Sequence, residues 1–102
     1  MKNFKILYIE DEDNIRKNAI EYLSYLSDFV YEAKDAFEGY EKYLQIKPDI
    51  IICDILMPKL NGLQLIEKIR QNDLDTQIIV ATARVDTHFD KSSGIKTCKI
   101  SY

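Results

Sequence analysis

The chain has 102 residues, enough for one domain with a buried core. Its formal net charge of −3 argues against a nucleic-acid grip, which needs clustered Lys and Arg on phosphates. No apolar stretch approaches membrane-spanning length, and the amino terminus runs into a short strand with no signal peptide ahead of it. Two cysteines without metal-like spacing give neither a disulfide framework nor a zinc site, so the cytoplasm is the expected location.

Phe4 to Ile9 is a short apolar run ending in acids, as expected of a buried parallel strand. Asp13 is placed to cap the helix that follows, where Ile15, Ala19, Tyr22, Leu23 and Leu26 recur at helical spacing. Phe29 to Ala33 reads as a second strand. Asp35 caps a second helix whose inner stripe is Phe37, Tyr40 and Leu44. Pro48-Asp49 ends that helix and starts a third strand, Ile50 to Asp54. Leu63, Ile66, Ile69 and Arg70 continue as a third helix after the loop Pro58 to Gly62, and Gln77 to Ala81 is a fourth strand ending at Thr82. Alternation of strand and helix with short connections predicts a doubly wound α/β fold on a parallel sheet. Residues 1–86 form this unit. Residues 87–102 are polar, carry Ser92-Ser93-Gly94 and show no helical stripe, so they read as an atypical carboxyl-terminal tail.

In a parallel sheet the carboxyl ends of the strands share one edge, and ligands of open α/β sheets bind there. Here those ends carry Glu10 and Asp11, Asp54, and Thr82. Carboxylates brought together repel, and a hard divalent cation such as Mg²⁺ relieves the repulsion while keeping waters and phosphate oxygens as further ligands. With charge so neutralised, an aspartate can attack a phosphoryl group and hold it as an acyl phosphate. A hydroxyl such as that of Thr82 can then hydrogen-bond a phosphoryl oxygen.

The stretches Ile6-Leu7-Tyr8-Ile9-Glu10-Asp11-Glu12 with Ile15-Arg16, Pro48-Asp49-Ile50-Ile51-Ile52-Cys53-Asp54-Ile55-Leu56-Met57-Pro58 with Gly62, and Ile78-Ile79-Val80-Ala81-Thr82-Ala83 resemble the receiver domain of two-component response regulators, from Lys2 to about Asp86. The resemblance implies a flavodoxin-like fold and a phosphoryl group taken from a sensor histidine kinase or phosphotransfer protein. It implies Asp54 as phosphoacceptor and Thr82 as the switch hydroxyl, with the Ala83 backbone beside the phosphoryl group. For Mg²⁺ it implies Asp11 and Asp54, Glu10 directly or through water, and the Leu56 backbone carbonyl. Met57-Pro58 and Gly62 would shape the loop after the acceptor. The expected role is signal relay, not an enzyme with an external product.

Simpler readings suit other residues. Asp13 is a solvated helix-start acid, Cys53 a small buried hydrophobe, His88 a surface histidine, and the seven tyrosines are core and edge fillers. The resemblance breaks after Asp86. A receiver continues through a fourth helix, a fifth strand ending in Lys-Pro and a fifth helix, and no Lys-Pro follows Asp86. Ile95 to Tyr102 is the stretch that offers a substitute fifth strand, and neither Lys96 nor Lys99 is assigned the missing ammonium. The sharp loss of periodicity near Asp90 is also what an out-of-frame reading of residues 90–102 would produce. A sheet lacking its last strand and helix would expose Gln77–Ala81 as an edge, so a homodimer or higher assembly is expected. Two rival functions remain: a phosphorylation-independent interaction module, favoured by the missing Lys, and a haloacid dehalogenase-type phosphatase, disfavoured because Leu56 stands where a second acid is wanted.

Overall fold

The computed structural model describes residues 3–53 and 62–80, with the backbone of residues 100–101. Its elements in chain order are β1 (Lys5–Ile9), α1 (Asp13–Leu23), β2 (Phe29–Ala33), α2 (Ala36–Ile46), β3 (Ile50–Cys53), α3 (Gly62–Arg70), β4 (Gln77–Val80) and β5 (Ile100–Ser101). The sheet runs β2-β1-β3-β4-β5. The first four strands are parallel, as the alternating pattern requires.

Strand register follows from alternating burial. Leu7, Ile9, Ala33, Ile51, Cys53, Ile78 and Val80 point to one face and meet Leu65, Ile66 and Ile69 of α3. Tyr31, Ala36, Tyr40 and Tyr43 pack around this cluster. Ile6 alternates to the other face, where α1 lies over β1 and β2 and buries Leu23. Cys53 is fully buried, as its reading as a small hydrophobe expects.

The expected helix stripes need correcting. On α1, Leu23 is buried but Ile15 and Tyr22 are exposed, and Leu26 lies beyond the end of the helix and is also exposed. The main contacts of the helix are with β1 and β2. On α2, Phe37 is 75% and Leu44 54% exposed. Tyr40 packs on the core as expected, and the inward line runs on through Ala36, Gly39 and Tyr43, because Gly39 lets the helix approach β1. A Cβ on Gly39 would stand 2.6 Å from Ile9 Cδ1.

β5 corrects the picture of an open edge. Ile100 and Ser101 pair antiparallel with Val80 and Ile79, so the carboxyl-terminal half of β4 has a neighbour drawn from the stretch proposed as a substitute. A strand returning from the same side can only pair antiparallel, whereas a parallel one needs a crossover helix.

Candidate functional site

Backbone register sets the level of the site. Ile9 is in register with Cys53, and Cys53 with Val80. The chain therefore leaves β1, β3 and β4 at one height of the sheet's carboxyl edge, on strands about 4.8 Å apart. The strand order reverses direction between β1 and β3, which is where a doubly wound sheet opens a crevice for ligands.

Glu10 follows β1 directly and is 2% exposed. Its backbone N–H donates to the Ala33 carbonyl at 3.0 Å, extending the β1–β2 ladder one residue. Its Oε2 accepts from the Glu12 N–H at 3.1 Å. A buried carboxylate needs such compensation, and it receives it from the amino-terminal end of α1, where the helix dipole favours negative charge. Asp11 sits beside it, half-buried, on the wall of an open hollow of about 810 Å³. Asp13, Lys34, Asp35, Phe37 and Lys68 line the same hollow. On its far side Lys68 Nζ lies 4.5 Å from the centre of the Tyr40 ring, tying α3 to α2.

The cap of α1 differs from expectation. Glu12, not Asp13, is the N-cap: its Oε1 accepts from the Asn14 N–H at 3.0 Å. Asp13 is the first helical residue and is free to turn outward to Arg16. The Arg16 guanidinium, whose side chain is 12% exposed, gathers three acceptors from different elements. Nε donates to Glu32 Oε1 at 2.8 Å, one terminal nitrogen to the Glu10 carbonyl at 2.9 Å, and the other to Asp13 Oδ1 at 2.6 Å. The hydrogen bond from Arg16 lowers the Asp13 pKa. Burial works against the Arg16 charge, but the hydrogen bonds to Glu32 and Asp13 outweigh it and raise its pKa. The sequence signals one arm of this clamp, since Asp13 and Arg16 are spaced i, i+3 on a helix; the arms to Glu10 and Glu32 depend on the β1–β2 pairing.

Of the residues expected to form the site, Glu10 and Asp11 stand together at the tip of β1. Asp54, Leu56, Met57, Pro58, Thr82, Ala83 and His88 lie outside the described residues. Gly62 is the buried first residue of α3. Among the described residues no group of three or more His, Cys, Asp or Glu side chains is arranged to hold a metal. The Glu10–Asp11 pair nonetheless supplies hard oxygens of the kind and number that Mg²⁺ takes from a protein, one or two carboxylates with waters completing the shell. A dication beside it would also offset the cost of burying the Glu10 charge.

A family profile described as the response regulator receiver domain matches residues 6–97. The chain belongs to the response regulator receiver domain family. It is 39% identical over 94 residues to the response regulator ArlR of Staphylococcus saprophyticus, a match covering 89% of this chain and 40% of that protein. It is 36% identical over 95 residues to the alkaline phosphatase synthesis transcriptional regulatory protein PhoP of Bacillus subtilis, covering 92% of this chain and 39% of that one. This receiver thus spans about two-fifths of the length of these relatives. Among solved structures, a chain from the complex of histidine kinase ThkA with response regulator protein TrrA aligns at a TM-score of 0.70 and 33% identity, covering 92% of this chain and 79% of that one. The chemotaxis response regulator CheY4 of Vibrio cholerae aligns at 0.74 and 23% identity, over 91% of this chain and 79% of that one, and shares the fold. The fold is therefore flavodoxin-like, and the chain is a two-component receiver domain. Among the described residues no helix is long and apolar enough to cross a membrane.

Proposed function

We propose that this receiver accepts a phosphoryl group on Asp54 in a Mg²⁺-dependent reaction and relays it as a signal. The observation that carries the reading is register: Glu10 and Asp11 follow Ile9, Asp54 follows Cys53, and Ile9 and Cys53 are direct partners on adjacent strands. A carboxylate oxygen of Asp54 forms the new bond to phosphorus as the nitrogen–phosphorus bond of a phosphohistidine breaks, the imidazole nitrogen keeping the electron pair. Asp11, Asp54 and the Leu56 carbonyl would hold Mg²⁺, with Glu10 directly or through water. When bound, the cation neutralises charge on the carboxylates and on the phosphoryl oxygens. The Thr82 hydroxyl donates to a phosphoryl oxygen, and the Ala83 backbone flanks it. The added charge of about −1.5 to −2 then biases the surface around the site.

The donor is a sensor histidine kinase or a phosphotransfer protein. The likeness to a chain from a kinase–regulator complex supports the first. The reaction is a self-modification in the cytoplasm, with no external product and no direct nucleic-acid or membrane contact by this domain. Residues 1–86 carry it and residues 87–102 are a tail, and two copies would associate at that side of the sheet, beyond β5. An interaction module that works without phosphorylation is the rival reading; a phosphatase is not favoured, given Leu56.

Incubating the chain with acetyl phosphate and MgCl₂ and weighing the intact protein separates these readings. We expect one added phosphoryl group, absent with EDTA and absent in Asp54→Asn. An unmodified wild-type mass at saturating Mg²⁺ would favour the interaction module.

A further inference from the structure

Arg16 is four residues beyond Glu12, the cap of α1, and is used by nothing in the reaction above, yet its side chain makes three hydrogen bonds at this edge. It is nearly buried and reaches three elements at once: the β1 tip through the Glu10 carbonyl, β2 through Glu32, and the first turn of α1 through Asp13. The contacts differ in weight. Glu32 is 46% and Asp13 72% exposed, and ion pairs so open to water contribute roughly 0–1 kcal/mol. Such weak pairs do not by themselves justify ordering a long side chain. The arm to the Glu10 carbonyl is different, because it fixes backbone at the point where the chain turns from Glu10 to Asp11. Glu10 N–H is already held by Ala33. With its carbonyl held by Arg16, both peptide groups flanking the Glu10 side chain are pinned.

We infer that Arg16 is a positioning residue for the divalent-cation site, fixing the peptide between Glu10 and Asp11 so that their carboxylates face one point. The inference rests on the Mg²⁺ reading proposed above and adds a residue to it. Arg16 also occupies Asp13 Oδ1, an acid on the wall of the same hollow, and so keeps that carboxylate turned towards α1 and away from the ion.

Sign distinguishes this role from simple electrostatics. Removing a positive charge near a cation site should tighten Mg²⁺ binding by Coulomb's law. Removing a positioning group should weaken it, because residues that orient metal ligands are typically worth about 10–100-fold in affinity. Calorimetric titration of the full chain with MgCl₂ reads the difference directly. We expect Arg16→Gln to weaken binding about tenfold or more. Arg16→Lys, which keeps the charge but cannot bridge three acceptors, should fall between Arg16→Gln and wild type. In acetyl phosphate labelling the half-saturating Mg²⁺ should rise in step, while the rate at saturating Mg²⁺ stays near wild type; a general loss of structure would lower that plateau.

Equal or tighter Mg²⁺ binding by a folded Arg16→Gln overturns the inference and leaves the Mg²⁺ reading standing. If Arg16→Gln does not fold, Arg16→Lys decides, and wild-type affinity there overturns it. Failure of the wild-type chain to bind Mg²⁺ overturns the underlying reading and this inference together.

Discussion

Asp73 uses both carboxylate oxygens at the end of the molecule opposite the acid cluster. The N–H groups of Asp75 and Thr76 donate to Oδ1 at 2.9 and 3.0 Å, and the hydroxyls of Tyr43 and Thr76 to Oδ2 at 2.6 and 2.5 Å. Hydrogen bonds from Thr76, then Tyr43, hold its carboxyl well below the usual carboxylate range. Burial, then the bond to Asp73, pushes Tyr43 up to about 12. The two shifts act at opposite ends of the pH scale. The Asp73 contribution is present above its unfolded pKa of about 3.9 and is lost as pH falls below that towards the folded value. The Tyr43 contribution is full below about 10 and is lost as pH rises from there to about 12. Tyr43→Phe should therefore cost about 1 kcal/mol near neutral pH and flatten the alkaline fall in stability, as urea denaturation at several pH values would show. None of this was legible in sequence, because Tyr43 and Asp73 meet only after α2 and α3 have packed. Glu10 and Asp11 were legible, since an acid pair straight after an apolar strand can only sit at that strand's tip.

At the scale of elements, strand positions are what the sequence carries best. Phe29–Ala33 matches its expected span, and β1, β3 and β4 match theirs to within a residue. A run of Ile, Val and Cys, buried on one face and largely half-buried on the other in β3 and β4, admits little else. Helix faces were harder. Periodicity finds a helix but leaves the rotation of its stripe open when aromatics stand on several sides, as Phe37, Tyr40 and Tyr43 do on α2. What settles α2 is Gly39, whose missing side chain sets the closest approach to Ile9. Gly39→Val would place a branched side chain where its first carbon already meets Ile9 Cδ1 at 2.6 Å. Overpacking should cost about 1–3 kcal/mol, offset only by the few tenths that Val gains over Gly in helix propensity, read as a drop in thermal midpoint with the Mg²⁺ affinity of the folded fraction unchanged. A midpoint at or above wild type would mean that α2 lies further from β1 than described.

For the whole molecule, the parallel core β2-β1-β3-β4 follows from strand–helix alternation, and the family assignment agrees with it. The fifth strand does not follow. β5 pairs antiparallel, a return that no periodicity in residues 87–102 announces. The functional claim rests on the parallel part alone, namely that β1 and β3 release their acids at one height of one edge. Mn²⁺ suits the same oxygen ligands as Mg²⁺, and as a paramagnetic ion it broadens nearby amide signals steeply with distance. The opposite edge, at Lys47–Asp49 and Asn72–Thr76, lies beyond the length of β1, about 16 Å at 3.3 Å per residue. Nuclear magnetic resonance spectra of the ¹⁵N-labelled chain with substoichiometric Mn²⁺ should lose the amide signals of Glu10–Asp13 and of Asp54 together, while Lys47–Asp49 and Asn72–Thr76 stay sharp. Broadening of Glu10–Asp13 without Asp54, or of the opposite edge first, would contradict the account.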